Sequence, residues 1–187
     1  MSTPYVCPAT YSGSLDNFLR RLMHKPVKIL RPFIKDEMVV LDMGCGPGFF
    51  TAELAGLVGE KGKVIAADLQ QEMLDKMIMK VRSYGLEKRV EPHKCQSERT
   101  GINKKTDFIL AFWMVHEVPD QQKFIEEMKS LLNPGGRILI VEPIIHVTRR
   151  SFSELINKVE SAGLQIIARP VIAFSRSLLL RAKTGDN

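Results

Sequence analysis

The sequence is poor in the features that mark several large protein classes. Cysteine occurs three times in 187 residues, as Cys7, Cys45 and Cys95. Spacings that wide build neither a disulfide framework nor a CxxC metal knuckle. No apolar run approaches the roughly 20 residues of a membrane-spanning helix. The opening residues, Met1-Ser-Thr-Pro-Tyr-Val-Cys7, lack the basic-then-apolar pattern of an export signal, so a reducing cytoplasm is the expected compartment. Repeats, low-complexity tracts and internal linkers are missing too. At 44% hydrophobic and 26% charged residues, the chain is too apolar to stay a solvated coil. Its length fits one domain.

What it has in excess is positive charge, with a net +6. Such a balance can signal nucleic acid or an acidic membrane, so its distribution matters. Residues 1–37 hold six Lys/Arg against three Asp/Glu, and the remaining 150 residues hold 21 against 18. Half of the excess therefore falls in the first fifth of the chain. Two helical patterns lie there, around Ser14–His24 and Pro26–Lys35. In the first, Phe18, Leu19, Leu22 and Met23 form an apolar stripe beside Arg20, Arg21, His24 and Lys25. Residues 1–36 are read as a helical cover that packs on the core, closes over a pocket or touches a membrane surface.

From Glu37 onward, short apolar runs alternate with helical patterns. Met38–Met43 is apolar on both faces, which suits a buried parallel strand. Phe49–Val58 reads as a helix and Lys63–Asp68 as a second strand. Met73, Leu74, Met77, Ile78 and Val81 recur at helical spacing, with Gly85 as the stop. Arg89–Lys94 is a weaker third strand, interrupted by Pro92. Thr106–Phe112 is the fourth strand, and a helix runs from about Asp120 to Leu132. Asn133-Pro-Gly-Gly136 marks a turn before the fifth strand, Arg137–Glu142. A helix over about Ser151–Ala162 then leads to Gln165–Ala173 and Ser177–Ala182, which should pair as an antiparallel hairpin. The pattern predicts a doubly wound α/β fold with a mostly parallel seven-stranded sheet over residues 37–187.

In such a sheet, ligands sit beyond the C-terminal strand ends, near the turn after the first strand. That turn is Asp42-Met-Gly-Cys-Gly-Pro-Gly48. Three alternating glycines exceed what a tight strand-to-helix turn requires. A dinucleotide fingerprint needs a third glycine where Phe49 stands, and no Gly-Lys-Ser/Thr follows to make a P-loop. Asp42 would repel a pyrophosphate but suits a ligand with an ammonium group and no phosphate. S-adenosylmethionine (SAM) has that chemistry, with a sulfonium and an amino-acid tail. The helix start after Gly48 could receive the tail carboxylate. Asp68 ends the second strand, where its two oxygens could accept from both ribose hydroxyls, or could cap the next helix.

At these residues the sequence resembles the class I SAM-dependent methyltransferases. Val40–Gly48 looks like the family's first motif and Val64–Asp68 like its acidic second-strand motif. Asp107–Val118 and Leu132–Glu142 resemble the fourth- and fifth-strand motifs. The closest flavour is the small-molecule branch, similar to ubiquinone/menaquinone and arsenite methyltransferases. The resemblance implies that Asp42, Gly44 and Gly46 contact the methionine part, with Cys45 and Gly48 in the same turn. It further implies that Asp68 and Leu69 hold the ribose, that Met73 lies near the adenine and that Phe112 walls the cofactor. Where the family often has an Asp for the adenine amino group, this chain has Gln96, whose amide oxygen can still accept.

Methyl transfer from a sulfonium is an in-line displacement, so placement supplies much of the effect. A general base helps only when the acceptor must lose a proton. His116, after the fourth strand, and His146, after the fifth, are the candidates, each with a purely structural alternative. Glu142 reads as a structural acceptor at a strand end. No metal site is expected, because the cysteines are too scattered. Trp113-Met-Val-His116 stands where adenine and guanine amino-methylases of similar sequence carry Asn/Asp-Pro-Pro-Tyr/Phe. The Pro-Cys and Thr-Cys pairs of cytosine methylases are missing as well. A small or lipophilic acceptor is therefore favoured, with S-adenosylhomocysteine as co-product. An RNA methyltransferase using the basic N-terminal segment, and a SAM-binding protein without catalysis, are the alternative readings.

Overall fold

The structure, a computed structural model, describes residues 25–183. The Ser14–His24 pattern lies outside them. Helix α1 (Pro26–Leu30) precedes β1 (Val39–Met43), α2 (Thr51–Leu57), β2 (Lys63–Asp68), α3 (Gln71–Ser83) and β3 (Val90–Lys94). Then follow β4 (Thr106–Phe112), α4 (Gln121–Ser130), β5 (Leu132–Pro143), α5 (Arg149–Ser161), β6 (Leu164–Ala168) and β7 (Ser175–Ala182). The strands form one sheet in the order β3-β2-β1-β4-β5-β7-β6. β1 to β5 are parallel, and β7 is antiparallel to both β5 and β6. The predicted doubly wound sheet with its closing hairpin is therefore the observed one.

The central strands are apolar on both sides because helices cover both faces of the sheet. Leu41, Ile65, Ile109 and Ile138 point into a core shared with Phe124, Met128, Phe152 and Leu155 of α4 and α5. Their neighbours Val40, Val64, Leu110 and Leu139 point the other way, toward Leu54 and Ala55 of α2 and Leu30 of α1. This alternation is the period-two geometry of a strand. The helices start where side chains satisfy their free N–H groups. Asp120 accepts from Lys123 N at 3.0 Å ahead of α4, and Thr148 Oγ1 accepts from Ser151 N at 3.1 Å ahead of α5.

Four boundaries differ from the sequence reading, each for a physical reason. Asn133-Pro-Gly-Gly136 is not a turn ahead of the fifth strand but a bulge inside β5. The register steps from Thr106↔Leu132 to Phe108↔Arg137, so the extra residues loop out. Gly135, at φ 78°, absorbs the bend, and Asp107 fixes it by accepting from Asn133 Nδ2 at 2.7 Å and from Val39 N at 2.8 Å. The first partner of the hairpin stops at Ala168, because Pro170 has no N–H for a ladder. Pro92 does not interrupt β3, which pairs with β2 alone and so lies at the sheet edge, where proline is tolerated. The helix expected to reach Lys35 ends at Leu30, because Pro32 has no N–H to continue the ladder. Phe33 there stacks on Phe108 at 5.8 Å, and its carbonyl accepts from Arg137 at 2.9 Å.

Leu110 is fully buried at the centre of β4. Leu110→Ala should lower unfolding stability by about 2–5 kcal/mol in urea titration. By contrast, Val171→Ala, at a fully exposed position, should stay within about 0.5 kcal/mol of the parent.

Candidate functional site

The candidate site opens beyond the C-terminal ends of β1, β2, β4 and β5, at the point where the strand order reverses. There a cavity of about 740 Å³ is lined by the β1 turn, the β2 end, residues 95–100 and the loops after β4 and β5. That size falls within the range of small-molecule sites.

Its floor is built by the glycine turn. Gly44 N and Cys45 N both donate to Ala67 O, at 2.9 and 3.0 Å, folding the end of β1 onto β2. Gly46 N donates to Asp68 Oδ2 and Gln70 N to Asp68 Oδ1, both at 2.9 Å. Asp68 thus clasps the β1 turn with one oxygen and its own downstream turn with the other. Burial pushes its carboxyl above the usual carboxylate range, while backbone N–H groups of Gln70, Gly46 and Leu69 pull it back. Asp42 is 2% exposed and accepts from Thr51 Oγ1 at 2.6 Å, so a hydroxyl of α2 fixes a buried carboxylate at the cavity wall.

The three glycines have positive φ and three different surroundings. A Cβ at Gly44 would lie 2.9 Å from Met114 Cγ, and one at Gly48 would lie 2.8 Å from Met77 Cγ and 3.2 Å from its Cα. A Cβ at Gly46 would meet nothing within 4 Å. Gly44, Cys45 and Gly46 line the cavity, whereas Gly48 does not. Its place is the close approach of α3 to the turn.

Leu69, Met73, Gln96 and Phe112 all line the cavity. Gln96 Oε1 already accepts from Arg99 Nε at 3.0 Å, which leaves one lone pair for a ligand. Burial raises the Cys45 thiol well above its ordinary value and pushes Cys95 up to about 12, with Asp68 adding to both. Neither is a thiolate near neutrality. Among the described residues, no group of three or more His, Cys, Asp or Glu is arranged to hold a metal ion.

The two histidines lie together at the opposite end. Their rings are parallel, 5.7 Å apart with 7° between planes, and both line the cavity. His116 Nδ1 is 2.6 Å from Glu142 Oε2, and Glu142 Oε1 accepts from Val115 N at 3.1 Å. Glu142 is 1% exposed and His116 half-buried. Burial alone would lower the His116 value, but the Glu142 hydrogen bond and charge, with Glu117 adding, raise it above 6.5.

Some site residues escape sequence reasoning. Trp113 holds a left-handed backbone (φ 60°), donates from Nε1 to Ser175 Oγ at 3.0 Å and lines the cavity. Thr100 N and Oγ1 donate to Glu127 Oε1 at 3.0 and 2.5 Å, securing the wall that carries Gln96. In the sequence both read as ordinary loop and helix polarity. None of the described residues before β1 lines the cavity.

A doubly wound sheet with a Gly-rich turn on an acidic second strand defines a nucleotide-cofactor fold. The comparisons narrow this. Residues 34–168 match a family described as a methyltransferase domain. The SAM-dependent methyltransferase of Aquifex aeolicus superposes with TM-score 0.85 at 30% identity, covering 94% of this chain and 98% of that one. The chain belongs to the SAM-dependent methyltransferases. The Escherichia coli ubiquinone/menaquinone biosynthesis C-methyltransferase UbiE is 33% identical over 123 residues, 64% of this chain and 49% of the relative. The chain thus spans about half the length of the curated relatives it matches. Ribosomal protein L11 methylase from Lactobacillus delbrueckii subsp. bulgaricus has TM-score 0.68 at 17% identity, covering 88% of this chain and 78% of that one. That is a likeness of fold alone.

The His116–Glu142 contact sets a pH dependence. Because the folded state holds the His116 proton more tightly than a free imidazole, the contribution is complete below about pH 6.5 and lost as pH rises through the folded-state value. Urea titrations from pH 6 to 9 should show stability falling with pH, and His116→Gln should flatten that part of the slope.

Proposed function

We propose that this chain binds SAM along the ends of β1 and β2 and transfers its methyl group to a small, lipophilic acceptor held near His116 and His146. The Asp68–Gly46 clasp at one end of the cavity, with the Glu142-held histidine at the other, carries the reading. The donor set fits the cofactor. A half-buried carboxylate raised by desolvation, as Asp68 is, gains from further hydrogen-bond donors, and two ribose hydroxyls supply them. Asp42 offers negative charge to the ammonium group, with Thr51 keeping it in place. Gly46 leaves open space for the amino-acid tail, and Leu69, Met73 and Phe112 give an apolar wall for adenine. Gln96 would take the amino group.

When bound, the cofactor supplies an already activated methyl on sulfur. What the chain adds is alignment and a place for the acceptor's proton. Glu142 fixes His116 through Nδ1, so Nε2 is the nitrogen left for proton removal. His146, parallel to it and exposed, shapes the entrance. The named activity of the curated relatives, methylation in quinone biosynthesis, supports a small acceptor. Free thiols at Cys45 and Cys95 are compatible with a reducing, cytoplasmic setting. Residues 37–187 act as the catalytic core in this reading, with residues 1–36 as its cover.

Thermal unfolding with SAM, S-adenosylhomocysteine and NAD in parallel tests the reading. At about 100 times the dissociation constant, SAM should add about 2.7 kcal/mol, and Asp68→Ala should abolish the gain. Stabilisation by NAD alone would overturn it. In a screen for S-adenosylhomocysteine release across metabolite fractions, His116→Gln should slow turnover by about 10²–10⁴ while SAM binding persists.

A further inference from the structure

Beside the cavity mouth lies a surface that methyl transfer itself does not use. Ile145 is 79% exposed, Val171 102% and Phe174 59%. Two loops carry them, one after β5 and one between β6 and β7. The loops are joined, since Ile144 N donates to Phe174 O at 3.0 Å and Arg176 donates to Val147 O at 2.6 Å. The exposed side chains therefore belong to one braced face. Phe174 holds a left-handed backbone (φ 53°), a conformation costly for an aromatic residue. Strain spent to keep a large ring in water is unusual for a surface with no occupant.

Arginine is frequent around this face, and Glu154 pairs with Arg150 at 3.2 Å. Residues 143–152 and 168–177 contain Arg149, Arg150, Arg169 and Arg176 and no aspartate or glutamate. Arg149, Arg150 and Arg169 are exposed. Apolar side chains ringed by arginines complement an anionic bilayer, whose headgroups take the guanidinium charge while its interface takes isoleucine, valine and phenylalanine. An acidic protein would match the charge but not four bulky apolar tips set on loops. Pro143 and His146, which flank Ile144 and Ile145 in the chain, both line the cavity. The cavity mouth and the apolar rim are thus the same edge of the molecule.

We propose that the rim formed by Ile144, Ile145, Val171 and Phe174 docks on the surface of an anionic membrane and turns the cavity mouth toward it. The acceptor then enters from the bilayer, a consequence that rests on the methyl-transfer reading, whereas the docking itself does not.

Co-sedimentation with phosphatidylcholine vesicles, with and without phosphatidylglycerol, tests the docking on the full chain. Binding should require phosphatidylglycerol and weaken as salt is raised. The double variant Val171→Glu/Phe174→Glu should lower partitioning by about tenfold or more, because each glutamate both removes apolar contact and repels the headgroups. Arg149→Ala/Arg169→Ala should reduce binding to the anionic vesicles alone. The SAM-induced thermal shift of these variants should match the parent, which certifies the fold and separates this proposal from the methyl-transfer reading. No binding to anionic vesicles at low salt would overturn the proposal, as would undiminished binding by Val171→Glu/Phe174→Glu. Sedimentation equilibrium showing a dimer that the same variant dissolves would overturn it too, by assigning the rim to a second copy of the chain.

Discussion

One half-buried carboxylate joins the two strand ends on which the site is built. Asp68 takes a backbone N–H from Gly46 of the β1 turn and another from Gln70 of its own. The clasp works with the bonds of Gly44 N and Cys45 N to Ala67 O and with the buried rings of Phe49 and Phe50, which anchor the far end of the turn. Together they hold glycines that are free in the unfolded chain. The clasp also explains the neighbouring packing. With Gly46 drawn toward β2, Gly44 comes under Met114 and Gly48 against Met77, and both approaches are too close for a Cβ. Three alternating glycines are thus one geometric solution with three different neighbours.

The fold was legible because its cause is local. Val40-Leu41 and Ile109-Leu110 are apolar on successive residues, and only a strand covered on both faces demands that. Asp68 was legible for a similar reason, since a carboxylate at the end of an apolar strand has few other uses. The bulge in β5 was not. Asn133-Pro-Gly-Gly136 carries every turn signal, and whether it ends a strand or loops out of one depends on Asp107, which holds it from β4. That information is in the sequence but not near the turn. A motif records where glycine is needed and not which neighbour needs it, so the approach of Met77 to Gly48 was not legible.

The histidine end of the cavity shows the same limit more sharply. His116 and His146 are separated by 30 positions in the sequence, and nothing local predicts parallel rings 5.7 Å apart. Their meeting follows from β4 and β5 being adjacent in the sheet, with loops leaving at the same edge. Glu142 read as a structural acceptor, and it is one toward Val115 N. The same side chain also holds His116, so one residue carries both roles.

The energetics of that pair bear on why it exists. A carboxylate 1% exposed has lost its hydration, and a hydrogen-bonded partner at best offsets the loss. A hydrophobic residue at the end of β5 would avoid that loss but leave the buried Val115 N–H without its acceptor. What an apolar residue could not do is fix the tautomer of His116 and leave Nε2 as the second nitrogen. The pair sits where the sheet ends and the cavity begins, and not deeper in the core where specificity of packing would be the issue. Its cost is offset by two uses at once, closing the Val115 N–H and orienting His116 at the cavity.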